Sequence, residues 1–233
     1  MVIGAVIQAR MNSLRLPGKV LQVIHGKPLL QYVLERVKCS KKVDEIAIAT
    51  SNEPSDYPIY EFCQNQNVEC FRGSLYDVAG RFNQILHMKK WDAFVRVNGD
   101  SPLLDQQLID TGVQIYNSGD YDLVTNVFPR SYPRGQSVEV IRAGRFQELN
   151  PKMKCDLEKE HVTRYYYDHP SDVTIYNFSS LIDYSHIQLS VDTREDLNQF
   201  SQIISKMPGK HWDYHLEDII RIYNQIQQIS GAL

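Results

Sequence analysis

Val2, Ile3, Ala5, Val6 and Ile7 form an apolar run that stops at Gln8, the pattern of a strand covered on both faces. Leu29, Leu30, Val33, Leu34 and Val37 recur at offsets of three and four behind Lys27-Pro28. That spacing predicts an amphipathic helix with Glu35, Arg36 and Lys38 turned outward. The pattern then repeats. Residues 44–50 and 68–71 read as strands around a helix over 55–66, and a helix over 77–90 leads to a strand over 93–97. Four strands alternating with three helices predict a parallel α/β sheet.

Past Asp100 the regularity loosens. Helices are predicted over 106–116, 157–167, 194–206 and 216–229, with short strands over 123–126, 137–141, 173–177 and 187–191. A loop over 128–136 is rich in Pro and Arg. No repeat, linker or low-complexity tract divides the chain, so 1–233 is read as one domain in which 127–180 form a small lobe over the site, for sugar binding or dimerisation.

Composition narrows the class. With 233 residues, 42% hydrophobic and 23% charged, the chain is an ordinary globular protein and neither collagenous nor disordered. Its 25 Lys+Arg against 28 Asp+Glu give a net charge of −3, and no basic run occurs. Nucleic acid and anionic membranes are therefore not expected as partners. The first apolar run is far shorter than the roughly 20 residues of a membrane helix, and Arg10 and Arg15 follow it, the reverse of a secretory signal. A cytoplasmic location is expected. Cys39, Cys63, Cys70 and Cys155 lack C-x-x-C spacing, so reduced structural thiols are expected rather than zinc or disulfides.

In an open parallel sheet, ligands gather outside the carboxyl ends of the strands. Behind the first strand stands Gln8-Ala9-Arg10-Met11-Asn12-Ser13-Leu14-Arg15-Leu16-Pro17-Gly18-Lys19. Arginine forks and a lysine point charge are what a triphosphate needs, and free backbone N–H groups can complete the cradle. Neither G-x-x-x-x-G-K-[ST] nor G-x-G-x-x-G is present, which removes the main support for P-loop and nicotinamide enzymes. Behind the fourth strand, Asn98-Gly99-Asp100 sets a carboxylate where Mg²⁺ could bind, and Asp192, behind the strand over 187–191, offers a second. Asp192 serves equally well as the N-cap of the helix at Arg194. His211 and His215, four apart but with no Glu after His211, are not read as a metal site.

Taken together, Ala9-Arg10-x-x-Ser13-x-Arg15-Leu16-Pro17-Gly18-Lys19, Asn98-Gly99-Asp100-Ser101-Pro102 and Val191-Asp192-Thr193-x-Glu195-Asp196-Leu197 resemble the cytidylyltransferases that make CMP-activated acidic sugars. Tyr132-Pro133-x-Gly135-x-x-Val138-Glu139-Val140 and Glu160-His161-Val162-Thr163 resemble the spore coat polysaccharide biosynthesis (SpsF) group of that superfamily. The resemblance runs to about residue 200 and implies an α/β nucleotide-diphospho-sugar transferase (GT-A, Rossmann-like) fold with a mainly parallel sheet. It implies CTP and an acidic sugar as substrates, pyrophosphate release and a homodimer.

On this reading Arg10, Lys19, Asp100 and Asp192 are catalytic, and Asp100 and Asp192 hold Mg²⁺. The nucleotide would lie against Ala9, Arg10, Ser13, Arg15, Lys19, Gly73, Ser74, Asp77, Arg81, Asn98 and Gly99. Asp77 has a competing role as a helix cap. The sugar would meet Arg134, Glu139, Glu160, His161 and Arg164, because a carboxylate favours an arginine fork and hydroxyls favour a carboxylate or imidazole. Glu160 and Arg164, four apart, could instead pair with each other. Tyr165, Tyr166 and Tyr167 read as packing residues at a subunit interface. The rival readings are a nucleotide-sugar glycosyltransferase using Asp120-Tyr121-Asp122, and a non-catalytic nucleotide-binding module.

Overall fold

The computed structural model describes residues 1–230, so the last three residues of the expected domain lie outside it. The chain runs β1 (Ile3–Gln8), a hairpin of β2 (Val23–Ile24) and β3 (Lys27–Pro28), α1 (Leu29–Lys38), β4 (Glu45–Ser51), α2 (Tyr57–Asn65), β5 (Glu69–Gly73), α3 (Val78–Lys89) and β6 (Ala93–Asn98). It continues through α4 (Gln106–Ser118), β7 (Leu123–Thr125), β8 (Glu139–Arg142), α5 (Ala143–Leu149), α6 (Asp156–Glu160), α7 (Arg164–Asp168), β9 (Ile175–Asn177), α8 (Arg194–Ser205) and α9 (Leu216–Ser230). Seven strands form one sheet in the order β5-β4-β1-β6-β8-β7-β9. β8 pairs antiparallel with both β6 and β7, while the other pairings are parallel. The chain leaves β1 toward β4 and β5 and then crosses to β6 on the other side. The β1–β6 junction is therefore the switch point where this architecture binds ligands.

Alternation along each strand feeds two apolar layers. Ala5 and Ile7 pack with Leu30, Val33 and Leu34 of α1 and with Ile109 and Val113 of α4. Val6, Ala47 and Ala49 face the other way, onto Phe82 of α3 and Phe146 of α5. A third cluster joins Leu29 and Tyr32 of α1 to Leu197 and Phe200 of α8 and Ile219 of α9. Among the described residues no helix is long and apolar enough to cross a membrane.

Four expectations change. Arg36, read as outward, is fully buried and donates to the carbonyls of His211 (2.5 Å) and Tyr214 (3.1 Å). The helix over 157–167 is two short helices broken at His161–Thr163, where Thr163 Oγ1 turns in to donate to the buried Glu139. The segment 187–191 alternates as a strand should, with Ile187, Leu189 and Val191 buried, but it makes only an isolated bridge, Arg134 to Gln188. The strand expected over 137–141 is β8, shifted to Glu139–Arg142, and β8 and β9 place part of 127–180 inside the central sheet.

Candidate active site

The loop after β1 is shaped by Asp56, a fully buried carboxylate that accepts from Met11 N (2.7 Å) and from the Ser51 amide and hydroxyl. Gly18 N closes the loop on Met11 O (2.8 Å), and Lys19 then opens a short 3-10 turn. Lys19 is only 6% exposed. Its three donors go to Asp100 Oδ2 (2.8 Å), Asp192 Oδ1 (2.9 Å) and Val191 O (2.7 Å). Arg15 reaches the same Asp192 oxygen at 3.0 Å, and Arg10 pairs with Glu160 at 3.0 Å.

Asp100 leaves the end of β6 through Gly99, where a Cβ would lie 2.8 Å from Gln8 O. The bare backbone thus lets the ends of β1 and β6 close up. Val191 N bonds Asp100 O (2.8 Å), which carries the chain from 187 onward to the site. Asp192 is not the N-cap of α8. Thr193 fills that role in a capping box with Asp196, leaving the Asp192 carboxylate for the cleft.

A cavity of about 290 Å³ lies over this cluster and is lined by Ala9, Arg10, Ser13, Arg15, Lys19, Arg81, Asn98, Gly99, Asp100, Glu160, His161 and Asp192. Gly73, Ser74 and Asp77, expected at the nucleotide, do not line it. Asp77 Oδ1 caps α3 by accepting from Gly80 N (2.8 Å), and Ser74 Oγ accepts from Asp77 N. Their polar atoms serve the turn into the helix, which is the local bonding such residues favour.

Asn98 and His161 also line a second cavity of about 250 Å³, so the two adjoin. Its floor is a polar network. Buried Glu139 accepts from Thr163 Oγ1 (2.7 Å), Tyr167 Oη (2.5 Å) and Arg96 Nη1 (2.7 Å). Burial alone would raise the Glu139 carboxyl. The Arg96 charge and the hydrogen bonds from Tyr167, Thr163 and Arg96 outweigh it and hold the group below the ordinary carboxylate range. Arg164, on the same wall, pairs with Asp168 (2.6 Å) and not with Glu160. Arg130 donates to Ser137 Oγ (2.9 Å) and Pro133 O (3.3 Å) and has no acidic partner among the described residues. Burial lowers its pKa, and the Glu139 charge opposes that.

The sequence model of the family described as Cytidylyltransferase matches residues 4–228. The chain belongs to the cytidylyltransferase family. It is 31% identical over 229 residues to the spore coat polysaccharide biosynthesis protein SpsF of Bacillus subtilis, spanning 94% of this chain and 93% of that one. A 3-deoxy-manno-octulosonate cytidylyltransferase of Hydrogenovibrio crunogenus is 34% identical over 119 residues, 50% of this chain and 47% of its own. A solved cytidylyltransferase from Leptospira borgpetersenii superposes with a TM-score of 0.92 at 30% identity, over 98% of this chain and 96% of that one. The cytidylyltransferase is thus a nucleotidyltransferase enzyme with the expected α/β fold, in a family that uses CTP with sugar substrates.

Several side chains that line the second cavity lack a sequence signal. Arg96 sits mid-strand and Arg130 lies in an irregular loop, so only the return of β8 beside β6 brings them together. Tyr165, Tyr166 and Tyr167 all pack with the second core cluster, as expected, and Tyr167 also gives its hydroxyl to Glu139. Arg134, expected at the sugar, is exposed, lines neither cavity, and joins the 187–190 segment through its backbone. Asp120 and Asp122, the acids of the glycosyltransferase reading, precede β7 and pair with Arg142, Asp122 also with Arg145.

The acid pair suits a hard divalent cation. One ammonium already holds Asp100 and Asp192 together, and Mg²⁺ takes one or two carboxylates, with phosphate oxygens and water supplying the rest. Lys19 occupies the position of the positive charge such a pair requires.

Proposed function

We propose that this cytidylyltransferase transfers CMP from CTP to an acidic sugar of the ulosonic or nonulosonic type. The observation that carries the reading is Arg130. In the second cavity, Arg96 is neutralised by Glu139 and Arg164 by Asp168, which leaves Arg130 as the cation without an acidic partner among the described residues. A half-buried guanidinium that no described carboxylate contacts, with Glu139 acting on it only at a distance, lies beside the nucleotide cleft and suits a substrate carboxylate, which it can grip through two N–H groups. The SpsF relative's place in polysaccharide biosynthesis and the octulosonate-activating relative fit the same chemistry.

In this mechanism a sugar hydroxyl oxygen attacks the α-phosphorus of CTP in line. The bond from the α-phosphorus to the bridging oxygen breaks, pyrophosphate leaves with the electron pair, and the hydroxyl proton passes to solvent. Arg10, Arg15 and Lys19 line the cleft and neutralise the leaving pyrophosphate. Asp100 and Asp192 would hold Mg²⁺, whose chemistry when bound is Lewis-acid withdrawal of charge from phosphate oxygens. His161 and Asn98 line both cavities and so border the path between nucleotide and acceptor.

The test is CTP-dependent pyrophosphate release with a panel of 2-keto-3-deoxy sugar acids and neutral sugars, on wild type and Arg130→Met. Loss of one charge-assisted contact, about 1.5–3 kcal/mol, corresponds to a drop in kcat/KM for the acid of roughly 10–100-fold. Turnover of neutral sugars alone, or an Arg130→Met enzyme with unchanged kcat/KM for the acid, would overturn the reading.

A further inference from the structure

A row of polar side chains crosses one face of the sheet through β1, β6 and β8. Val6 and Phe94 pack on the side of α3 and α5, and alternation puts Gln8 and Arg96, two residues further along each strand, on that same face. Arg96 stands opposite Glu139 across the β6–β8 ladder and donates Nη1 to its carboxylate at 2.7 Å. Its Nε donates the other way, to Gln8 Oε1 at 3.1 Å. Gln8 is diagonal to it across the β1–β6 ladder, where Val6 is the direct partner of Arg96, a separation that long side chains bridge.

This contact fixes which way the Gln8 amide points. A guanidinium has donors and no acceptor, so the carbonyl oxygen of Gln8 must face it, and Glu139 holds Arg96 in place behind the contact. The Nε2 group is turned away from Arg96, has no hydrogen-bond partner among the described residues and is not enclosed. Gln8 lines the nucleotide cleft and not the second cavity, whereas Arg96 lines the second cavity and not the cleft. Asn98, the register partner of Gln8, borders both. The spare N–H groups of Gln8 therefore lie in the cleft beside its junction with the acceptor cavity. The groups assigned above to the triphosphate are three cations and two acids; none is a neutral donor.

We propose that the Gln8 amide holds the α-phosphate of CTP by donating Nε2–H to a non-bridging oxygen, with Arg96 and Glu139 as positioning residues behind it. The sugar hydroxyl has to meet the α-phosphorus where the acceptor cavity opens into the nucleotide cleft, and this donor stands beside that opening. A preorganised N–H there faces the oxygens over which charge is spread in the transition state. Being neutral, it does not draw the β- and γ-phosphates away from Arg10, Arg15 and Lys19. The inference rests on the transfer of CMP proposed above and not on which sugar receives it.

The experiment is calorimetric titration of CMP, CTP and pyrophosphate, each with Mg²⁺ and without sugar, into wild type, Gln8→Met, Gln8→Glu and Arg96→Lys, with circular dichroism to follow folding. CMP carries the α-phosphate alone, and pyrophosphate reports the neighbouring subsite. Gln8→Met should weaken CMP and CTP by roughly 10–100-fold, the scale of one hydrogen bond to a charged group, with pyrophosphate little changed. Gln8→Glu keeps an oxygen for Arg96 but has no N–H, and should show at least the same loss of CMP even if Gln8→Met fails to fold. Arg96→Lys keeps the charge beside Glu139 and removes the Nε–H that fixes the amide, so CMP should weaken by about 3–10-fold, the scale of one neutral hydrogen bond. Unchanged CMP affinity in a folded Gln8 variant, or an equal loss of CMP and pyrophosphate in Gln8→Met, would overturn the assignment. Wild-type CMP affinity in Arg96→Lys would overturn the positioning role. A wild type that binds pyrophosphate but neither CMP nor CTP would instead overturn the CTP reading itself.

Discussion

Replacing Lys19 by Met separates the structural work of the site from its chemistry. All three ammonium donors are engaged, two of them on Asp100 and Asp192, and the Lys19 side chain is 8% exposed. Methionine fills similar space and removes the charge. The two carboxylates then share a small volume with only Arg15, at 3.0 Å from Asp192, to offset them. Breaking a fully buried pair costs about 3–5 kcal/mol. Here Asp100 and Asp192 keep 29% and 27% of their side chains exposed, so water screens part of the repulsion and the loss should be nearer 2–3 kcal/mol. At this chain length that lowers Tm by about 4–12 °C. A second consequence has the opposite sign. An ammonium and a divalent cation compete for the same oxygens, so Mg²⁺ should raise the Tm of nucleotide-free Lys19→Met more than that of wild type. Turnover should still fall by about 10²–10³, as for loss of one preorganised electrostatic group. Thermal melts with and without Mg²⁺, alongside pyrophosphate release, read all three effects. An unchanged Tm together with a wild-type response to Mg²⁺ would show that Lys19 does not balance these acids.

What could be read from the sequence follows from how local each signal is. The apolar runs that set β1 and β6 also fix where their carboxyl ends lie, and so Arg10, Arg15, Lys19 and Asp100 were found beside them. Asp192 stood between two roles because Asp caps helices and binds cations equally well. Only the Thr193–Asp196 capping box separates them. Arg36 shows the limit of sorting by polarity. Seven residues after Leu29, it shares that residue's buried face, and its acceptors at 104, 211 and 214 belong to distant segments. The second cavity was legible only in part: Glu139, His161 and Arg164 were expected at the sugar and line it, whereas Arg96 and Arg130 carried no signal. Arg96, Glu139, Thr163 and Tyr167 are spread over 72 positions and meet only because β8 reverses beside β6. The segment 187–191 carries a true alternation, but the period reports a buried face and not a ladder partner.

Glu139→Gln should destabilise the fold by about 3 kcal/mol, because Arg96, 12% exposed, loses the charge that compensates it. A urea midpoint equal to that of wild type would refute this. His211 makes stability depend on pH with a definite sign. Its Nε2 meets Glu35 Oε2 at 2.8 Å, while Nδ1 is buried without a partner, so a second proton would enter a space that holds no acceptor. Burial, only partly opposed by Glu35, pulls the imidazole down to about 4. An unfolded histidine takes up its proton near 6.5, so between those values the unfolded chain binds more protons than the folded one, and stability falls as the pH drops from about 6.5 to about 4. The full shift caps the effect at about 3 kcal/mol. His211→Gln removes the titrating group. Across that interval its urea midpoint should fall less steeply than that of wild type, and two parallel curves would mean that the imidazole is not held neutral by the fold.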